Sequence, residues 1–185
     1  SSWSGDSDYE NNSKKSESDD AKTEGTAAGQ TKTDAVADGA LLNAALELEH
    51  EAIAIYTAAA GIEFLKSNAA VIGMAGTFLA HHTTHRDSLI GAIDNLKSTD
   101  ANVAESVSAK TEDEYLSPFI DKLTDLQQVI RLASLKEMEA AKAYTGLISK
   151  FTDPGLAQTS GMLGGDEAAH YGALRAVLLA LVKDP

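Results

Sequence analysis

A glutamate and a histidine stand three residues apart in the segment GDEAAHYG, residues 165–172. Residues three apart share one face of a helix, so Glu167 and His170 would project from the same side. The neighbouring turns of that face carry Leu163 and Leu174, which places the pair inside an apolar stripe. Carboxylate and imidazole groups are typical ligands of iron, manganese and zinc. The pair therefore indicates a metal site in the core of a helical protein.

Three further helical stretches carry polar residues in the middle of an apolar stripe. Glu49 and Glu137 each take such a position, and His82 and His85 form a second pair at i, i+3. Carboxylates crowded in an apolar core repel one another, and a shared cation removes that cost. Glutamates on two helices with pairs on the other two are the arrangement by which bundle cores hold two metal ions. The predicted ligands are Glu49, His82, His85, Glu137, Glu167 and His170.

The order of these residues along the chain forms an internal repeat. Glu49 is followed seven residues later by Tyr56, and Glu137 is followed seven residues later by Tyr144. The distances from each glutamate to its downstream pair, 33 and 30 residues, nearly agree. We therefore expect two helix pairs related by a pseudo-twofold axis. Each tyrosine would hydrogen-bond a ligand or supply an electron, and a packing role with the hydroxyl merely satisfying a carboxylate stays open.

Four long helices are predicted to position these residues, at about 36–65, 69–97, 118–151 and 154–182. Ser117-Pro118 and Asp153-Pro154 each supply an N-cap and a first-turn proline. The connection of about 20 residues between helices two and three reaches ~60 Å when extended, against ~40 Å for a helix of this length. We therefore predict an all-α four-helix bundle with a long crossover between helices two and three.

Composition supports one helical domain, predicted at 35–185. The chain has 185 residues, 43% of them hydrophobic, with three prolines and no cysteine. The lack of cysteine excludes disulfides and thiolate metal sites. A formal net charge of −13 opposes binding to nucleic acid and favours cations. No apolar run approaches the roughly 20 residues of a membrane span.

Residues 1–34 are acidic and Ser-rich with almost no aliphatic side chains, which predicts an irregular tail or linker. The chain starts without Met, and such a spacer is typical where a secretion signal has been removed. We therefore expect export to the periplasm, cell surface or medium, the alternative being a chain shortened for expression. We also expect Trp3 and Tyr9 to dock on a neighbouring subunit and make a homo-oligomer or polymer. The alternative is a solvated tether.

The motifs resemble those of the ferritin-like, or rubrerythrin-like, superfamily. Its mark is E-x6-Y on the first and third helices and E-x-x-H on the second and fourth. The segments LNAALELEHEAIAIY, HHTTHRDSL, KEMEAAKAY and GDEAAHYGALR are most similar to the exported ferritin-like domain proteins of bacteria. The resemblance covers about residues 36–183. It implies a dinuclear centre, with iron as the first expectation and manganese or zinc as alternatives, and with oxygen or peroxide as a reactant.

One position departs from the superfamily pattern, because His82 stands where the second helix usually has glutamate. Four glutamates would balance two divalent ions, whereas Glu49, Glu137 and Glu167 supply three negative charges. The net charge of the site is therefore about one unit more positive than that of a four-glutamate site, which makes it less suited to two oxidised irons. A reduced diiron pair, a mixed or zinc site, and a single occupied position are the alternatives. We also expect that histidine does not bridge two metals as a bidentate carboxylate does.

Other polar residues and several glycines lie off the inward faces or near the helix ends. The residues predicted to lie at the surface are His50, His81, Glu47, Glu51 and Glu139. Glu63 is in phase with Glu49 but lies nearer the helix end, so it is an outside candidate for a ligand. The glycines predicted to allow close helix approach or a local bulge are Gly73, Gly76, Gly161, Gly164 and Gly165.

Two classes of function are compatible with these features. The first is a redox metalloprotein with oxidase, ferroxidase or peroxidase-type activity at a dimetal centre. The second is a non-catalytic structural or assembly-forming protein, in which the metal site is purely structural or vestigial. A helical bundle supports either role, so the fold alone does not decide whether the protein is an enzyme.

Overall fold

The computed structural model describes residues 32–182, and all regular secondary structure within them is helical, as predicted. The predicted tail lies outside the described residues apart from its last three. The helices are α1 (Ala35–Gly61), α2 (Glu63–Lys66), α3 (Ala69–Thr99), α4 (Glu112–Leu116), α5 (Leu126–Ile148) and α6 (Pro154–Val182), with a 3₁₀ turn at Ile120–Lys122. Within residues 32–182, no helix combines the length and apolar character that crossing a membrane requires.

The four long helices form the predicted bundle, with α1 packed on α3, α5 packed on α6, and α1 also touching α5. Its core has two apolar clusters. One includes Phe78 and Leu174, and the other includes Leu42 and Ile93. On all four helices, the polar positions predicted to bind metal fall between residues of these two clusters. The fold thus places those polar side chains at one level with apolar packing on both sides.

The crossover runs the length of the bundle, because α3 ends beside one apolar cluster and α5 begins beside the other. Asn43 on α1 holds this segment, donating to the carbonyl of Glu105 at 2.9 Å and accepting from the amide of Val107 at 2.8 Å. Val103 is buried against Gly39, where a Cβ atom would lie 2.7 Å from Val103 Cγ1. Glycine is therefore required at that point of α1.

The predicted start of the third helix at Ser117-Pro118 is wrong. Thr111 and Glu114 form a capping box that opens the short helix α4, so Ser117 follows the end of that helix. The long helix α5 begins eight residues after Pro118, where the Asp125 side chain accepts from the amide of Gln128 at 2.9 Å. The Thr-x-x-Glu and Asp-x-x-Gln patterns were the stronger cap signals.

The other helix ends differ less from prediction. The first helix ends at Gly61 instead of 65, because Ile62 takes an extended conformation and a separate turn, α2, follows. The third ends at Ile148 instead of 151. The fourth spans Pro154–Val182 as predicted, and Asp153 accepts from the amide of Gly155 at 2.8 Å.

Candidate metal centre

Six polar side chains from four helices meet in the middle of the bundle, and each is at most 4% exposed. Helix α1 contributes one glutamate, α3 two histidines, α5 one glutamate, and α6 a glutamate and a histidine. These are the six residues singled out in the sequence: Glu49, His82, His85, Glu137, Glu167 and His170. Helical periodicity thus brings residues from widely separated parts of the chain to one centre.

Four of these side chains form a first group with the spacing of a metal site. Each of Glu49, His82, His85 and Glu167 offers one nitrogen or oxygen within 4.8 Å of the other three. His82 Nδ1 lies 2.7 Å from Oε2 of Glu49. His85 Nδ1 lies 2.9 Å from Oε1 of Glu167. The first group therefore combines two imidazole nitrogens with two carboxylate oxygens.

A second group has the same composition and shares two members with the first. It consists of His82, Glu137, Glu167 and His170. His82 Nε2 lies 2.9 Å from Oε1 of Glu137. His170 Nδ1 lies 3.3 Å from Oε2 of Glu137 and 3.3 Å from Oε2 of Glu167. His82 and Glu167 thus stand between two metal-binding positions that each offer two nitrogens and two oxygens.

The residues present fit two cations. Among the described residues, Glu167 Oε2 is one of three buried side-chain polar atoms that make no hydrogen bond. A buried carboxylate oxygen that makes no hydrogen bond is costly, and a cation would satisfy it. The donors are all imidazole nitrogens and carboxylate oxygens, a set that suits iron, manganese and zinc.

The same residues also balance one another electrostatically. Burial lowers the pKa of His82, but hydrogen bonds to Glu137 and Glu49 outweigh it and raise that pKa to about 10. The pKa of His85 also rises to about 10, since hydrogen bonds to Glu167 and Glu49 outweigh burial. Burial raises the pKa of Glu49, yet hydrogen bonds to His82 and His85 bring it down to about 2. Protons on His82 and His85 therefore stabilise the Glu49 carboxylate, as a shared cation would.

Two buried tyrosines cross between the helices that carry the lone glutamates. The hydroxyl of Tyr56 on α1 donates to Oε1 of Glu137 on α5 at 2.6 Å. The hydroxyl of Tyr144 on α5 donates to Oε1 of Glu49 on α1 at 2.5 Å. Burial and the neighbouring carboxylates raise the pKa of both phenols, so both keep their protons. Each tyrosine orients the glutamate of the other helix.

One of the predicted close approaches supports this arrangement. A Cβ atom on Gly164 would lie 3.0 Å from Cβ of Tyr144, so α6 passes close to α5 beside the centre. Gly161 is in ordinary contact, 3.5 Å from Ile148 Cδ1. The sites of Gly73, Gly76 and Gly165 are open, so the close approach predicted for them does not occur.

Two outer partners were not anticipated from the sequence. His85 Nε2 lies 3.0 Å from Oδ2 of Asp166, and His170 Nε2 lies 2.8 Å from Nδ1 of His81. Each partner immediately precedes a predicted ligand, so it stands at the edge of the same helix face. His81 is exposed, as predicted, although it also contacts the centre. A polar residue directly before a buried ligand was the available signal.

The other residues set aside in the sequence fall mostly outside the centre. The prediction that His50 lies at the surface is wrong, because the crossover covers it and its Nε2 lies 3.0 Å from the Val107 carbonyl. The Glu63 side chain is 88% exposed and pairs with Lys66, so this outside candidate is not part of the centre. Glu47 is partly exposed and pairs with Lys110.

A small cavity connects the centre with the surface between α1 and α5. Its volume is about 30 Å³, and the lining side chains at the centre are Tyr56, His82 and Glu137. The more exposed lining side chains are Glu51, Lys136 and Glu139. Lys136 Nζ lies 2.9 Å from Glu51 and 3.3 Å from Glu139, which closes the outer end.

Comparison with known proteins gives the same family as the motifs. No curated protein and no solved structure shows significant similarity to the chain. Residues 37–180 match the family model described as a ferritin-like domain, and this range contains all six central side chains. The chain therefore belongs to the ferritin-like domain family.

Proposed function

We propose that this chain binds two metal ions, iron being the first candidate, and that the centre exchanges electrons with oxygen or peroxide. The observation that carries the proposal is the division of six buried donors into two four-residue groups that share His82 and Glu167. Glu49 and His85 would complete one position, and Glu137 and His170 the other. Bound iron would supply redox chemistry that these side chains lack.

The surrounding residues would hold the ligands in place. The tyrosine hydroxyls fix one oxygen of Glu49 and one of Glu137. Asp166 and His81 contact the outer Nε2 atoms of His85 and His170, which leaves Nδ1 of both rings facing inward. Such outer partners set the orientation and basicity of ligating histidines and tune metal affinity.

The size of the cavity favours a small reactant. A volume of about 30 Å³ holds only one or two molecules the size of water. The two apolar clusters close the centre along the bundle axis. The route between α1 and α5 therefore favours oxygen or peroxide over an organic substrate, which supports an oxidase, ferroxidase or peroxidase-type reaction.

Metal analysis of protein from its native source tests this proposal. We expect about two metal ions per chain, as the two ligand groups require. The absorption spectrum should change when oxygen or peroxide is added to the reduced protein. A centre that holds iron but does not respond to either oxidant would contradict the redox function.

A second candidate function is a non-catalytic structural or assembly role. It is favoured by the contacts between three histidines and three glutamates in the centre, which would let the core fold without a cation. His82 lies within 2.9 Å of Glu49 and Glu137, and His85 lies 2.9 Å from Glu167. Protein from the native source that holds neither metal nor redox activity yet forms a stable assembly would favour this role.

Under this second role, residues 1–34 would build the assembly through Trp3 and Tyr9. Both aromatics lie outside the described residues, so the proposal rests on their position in the sequence. Sedimentation of the full chain and of a chain lacking residues 1–34 tests it. Equal mass for the two assemblies would exclude a docking role for the tail.

We propose export for the same chain, because its first 34 residues have the composition of a spacer between a removed signal and a folded domain. Fractionation of the native cells tests this localisation. Recovery of the protein in the cytosolic fraction alone would contradict it.

A further inference from the structure

We propose that the His82 ring bridges the two metal positions, giving Nδ1 to the position of Glu49 and His85 and Nε2 to the position of Glu137 and His170. This inference rests on the proposed function that the core binds two ions. It differs from the expectation that histidine at this place cannot bridge as a carboxylate does.

The two ring nitrogens of His82 face different ligand groups. Nδ1 lies 2.7 Å from Glu49 Oε2 and 3.6 Å from Glu167 Oε1, both in the first group. Nε2 lies 2.9 Å from Oε1 of Glu137, in the second group. The outer nitrogens of His85 and His170 point instead to Asp166 and His81. Of the three central histidines, His82 alone has both nitrogens inside the centre.

Packing fixes the His82 ring in this orientation. Tyr56 stacks on it, with 5.4 Å between ring centroids and 21° between ring planes. The rings of His85 and His170 meet it edge to face at 5.9 Å and 5.3 Å. A ring held on three sides and only 1% exposed has little room to turn one nitrogen away. The geometry therefore favours use of both nitrogens.

Bridging also restores the charge that the missing glutamate would have supplied. A neutral imidazole keeps one N–H proton and has one free lone pair, so the ring binds an ion at each nitrogen only after that last proton has left. That proton leaves to solvent, and the ring becomes a singly charged imidazolate. With the carboxylates of Glu49, Glu137 and Glu167, the centre then carries four negative charges. Four charges balance two divalent ions.

The bridge has a measurable consequence for the distance between the ions. With metal–nitrogen bonds of about 2.1 Å on either side of the ring, the ions would lie about 6 Å apart. Ions in dimetal sites commonly lie about 3.5–4 Å apart. Glu167 can span the wider gap, because its Oε1 faces the first group and its Oε2 faces the second.

Crystals of the full chain loaded with Fe²⁺ without oxygen, with diffraction measured at the iron edge, test the bridge. We expect two ions about 6 Å apart, each bonded to one nitrogen of His82. Ions about 3.5–4 Å apart, or His82 bonded to one ion only, would overturn the bridge and leave the proposed function standing. Protein that binds no iron would overturn both.

Variants provide an independent measure by metal content and by X-ray absorption in solution. His82→Glu should keep two ions and shorten their separation to about 3.5–4 Å, because a carboxylate then takes the ring's place. His82→Gln should lose at least half of the bound iron. His50→Gln is the matched control, since His50 is also buried but lies outside both groups. An unchanged separation in His82→Glu, or full iron content in His82→Gln, would contradict the bridge.

Discussion

The hydroxyl of Tyr56 donates to Oε1 of Glu137 across the interface of α1 and α5, at 2.6 Å. In the reverse direction, the hydroxyl of Tyr144 on α5 donates to Oε1 of Glu49 on α1. The pair of contacts gives the bundle core the pseudo-twofold symmetry that the spacing of glutamate and tyrosine predicted. It also ties the two helix pairs together at their buried carboxylates.

The first prediction concerns these hydroxyls. Tyr56→Phe removes the donor and leaves a buried carboxylate oxygen less satisfied, so the free energy of unfolding of chelator-treated protein should fall by about 1–3 kcal/mol. Urea denaturation measures the change. Tyr171→Phe is the control, because Tyr171 on α6 lines a surface groove that includes none of the three buried glutamates. Equal stability of the two variants would show that the hydroxyl does not support Glu137.

A second prediction concerns the ligands. Glu137→Ala and His170→Ala should each lower the metal content several-fold, since each removes a donor from the second group. Glu139→Ala should leave the metal content unchanged, because its side chain is 52% exposed and pairs with Lys136. Elemental analysis of the three variants measures their metal content. Equal metal content in all three would mean that these buried side chains are not ligands.

Helical periodicity explains why the site residues could be found from the sequence. The positions of Glu49 and Glu167 follow from apolar stripes with a repeat of three to four residues, which survive any shift of the helix ends. The start of α5 was misplaced because the local caps at Thr111 and Asp125 compete with the Ser117-Pro118 signal. The burial of His50 was missed because it depends on a long-range contact with the crossover.

The sequence also could not predict that both ligand groups contain His82 and Glu167. Spacing along one helix places a side chain on a face, but which of its atoms meets which neighbour depends on all four helices. Helix α3 presents both His82 nitrogens to the centre, while the Nε2 atoms of His85 and His170 point outward. The three histidines lie on similar apolar stripes, so their spacing alone does not predict this difference in ring orientation.

A third prediction is that chelator-treated protein loses stability as the pH rises. The pKa of His82 and that of His85 are about 10 in the folded chain, against an ordinary 6.5. Their contribution is complete below pH 6.5 and is lost as the pH rises toward 10, by up to about 1.36 kcal/mol per pH unit for each group. Thermal unfolding between pH 6 and 10 measures this slope. His82→Gln should reduce it, whereas His50→Gln should keep it.

The same stability has an acid limit. The pKa of Glu49 is about 2 in the folded chain, below its ordinary 4.5. A lowered carboxyl pKa stabilises the fold above pH 4.5, and that contribution is lost as the pH falls toward 2. Chelator-treated protein should therefore be most stable between about pH 4.5 and 6.5. A maximum at pH 8 or above would contradict this assignment of protons.

A fourth prediction is that metal affinity has the opposite pH dependence. Metal ions must displace the histidine protons, so binding releases protons and tightens as the pH rises. Between pH 6 and 8 the apparent Zn²⁺ affinity should increase by about tenfold per pH unit for each displaced proton. Competition with a chelator of known pH dependence measures it. A pH-independent affinity would show that the histidines are not protonated before metal binds.

The last prediction concerns the outer end of the cavity. Lys136 is 20% exposed and lies between Glu51 and Glu139. It neutralises these two carboxylates at the outer end of the cavity lined by His82 and Glu137. Lys136→Ala would leave those two carboxylates unpaired, and a negative entrance raises the local concentration of cations. Uptake of Fe²⁺ should therefore become several-fold faster, and the gain should shrink with added salt because exposed charges are screened. Lys66→Ala is the matched control, since Lys66 also pairs with a glutamate but does not line the cavity. Stopped-flow uptake at low and high ionic strength measures both variants, and unchanged uptake in Lys136→Ala would mean that ions enter by another path.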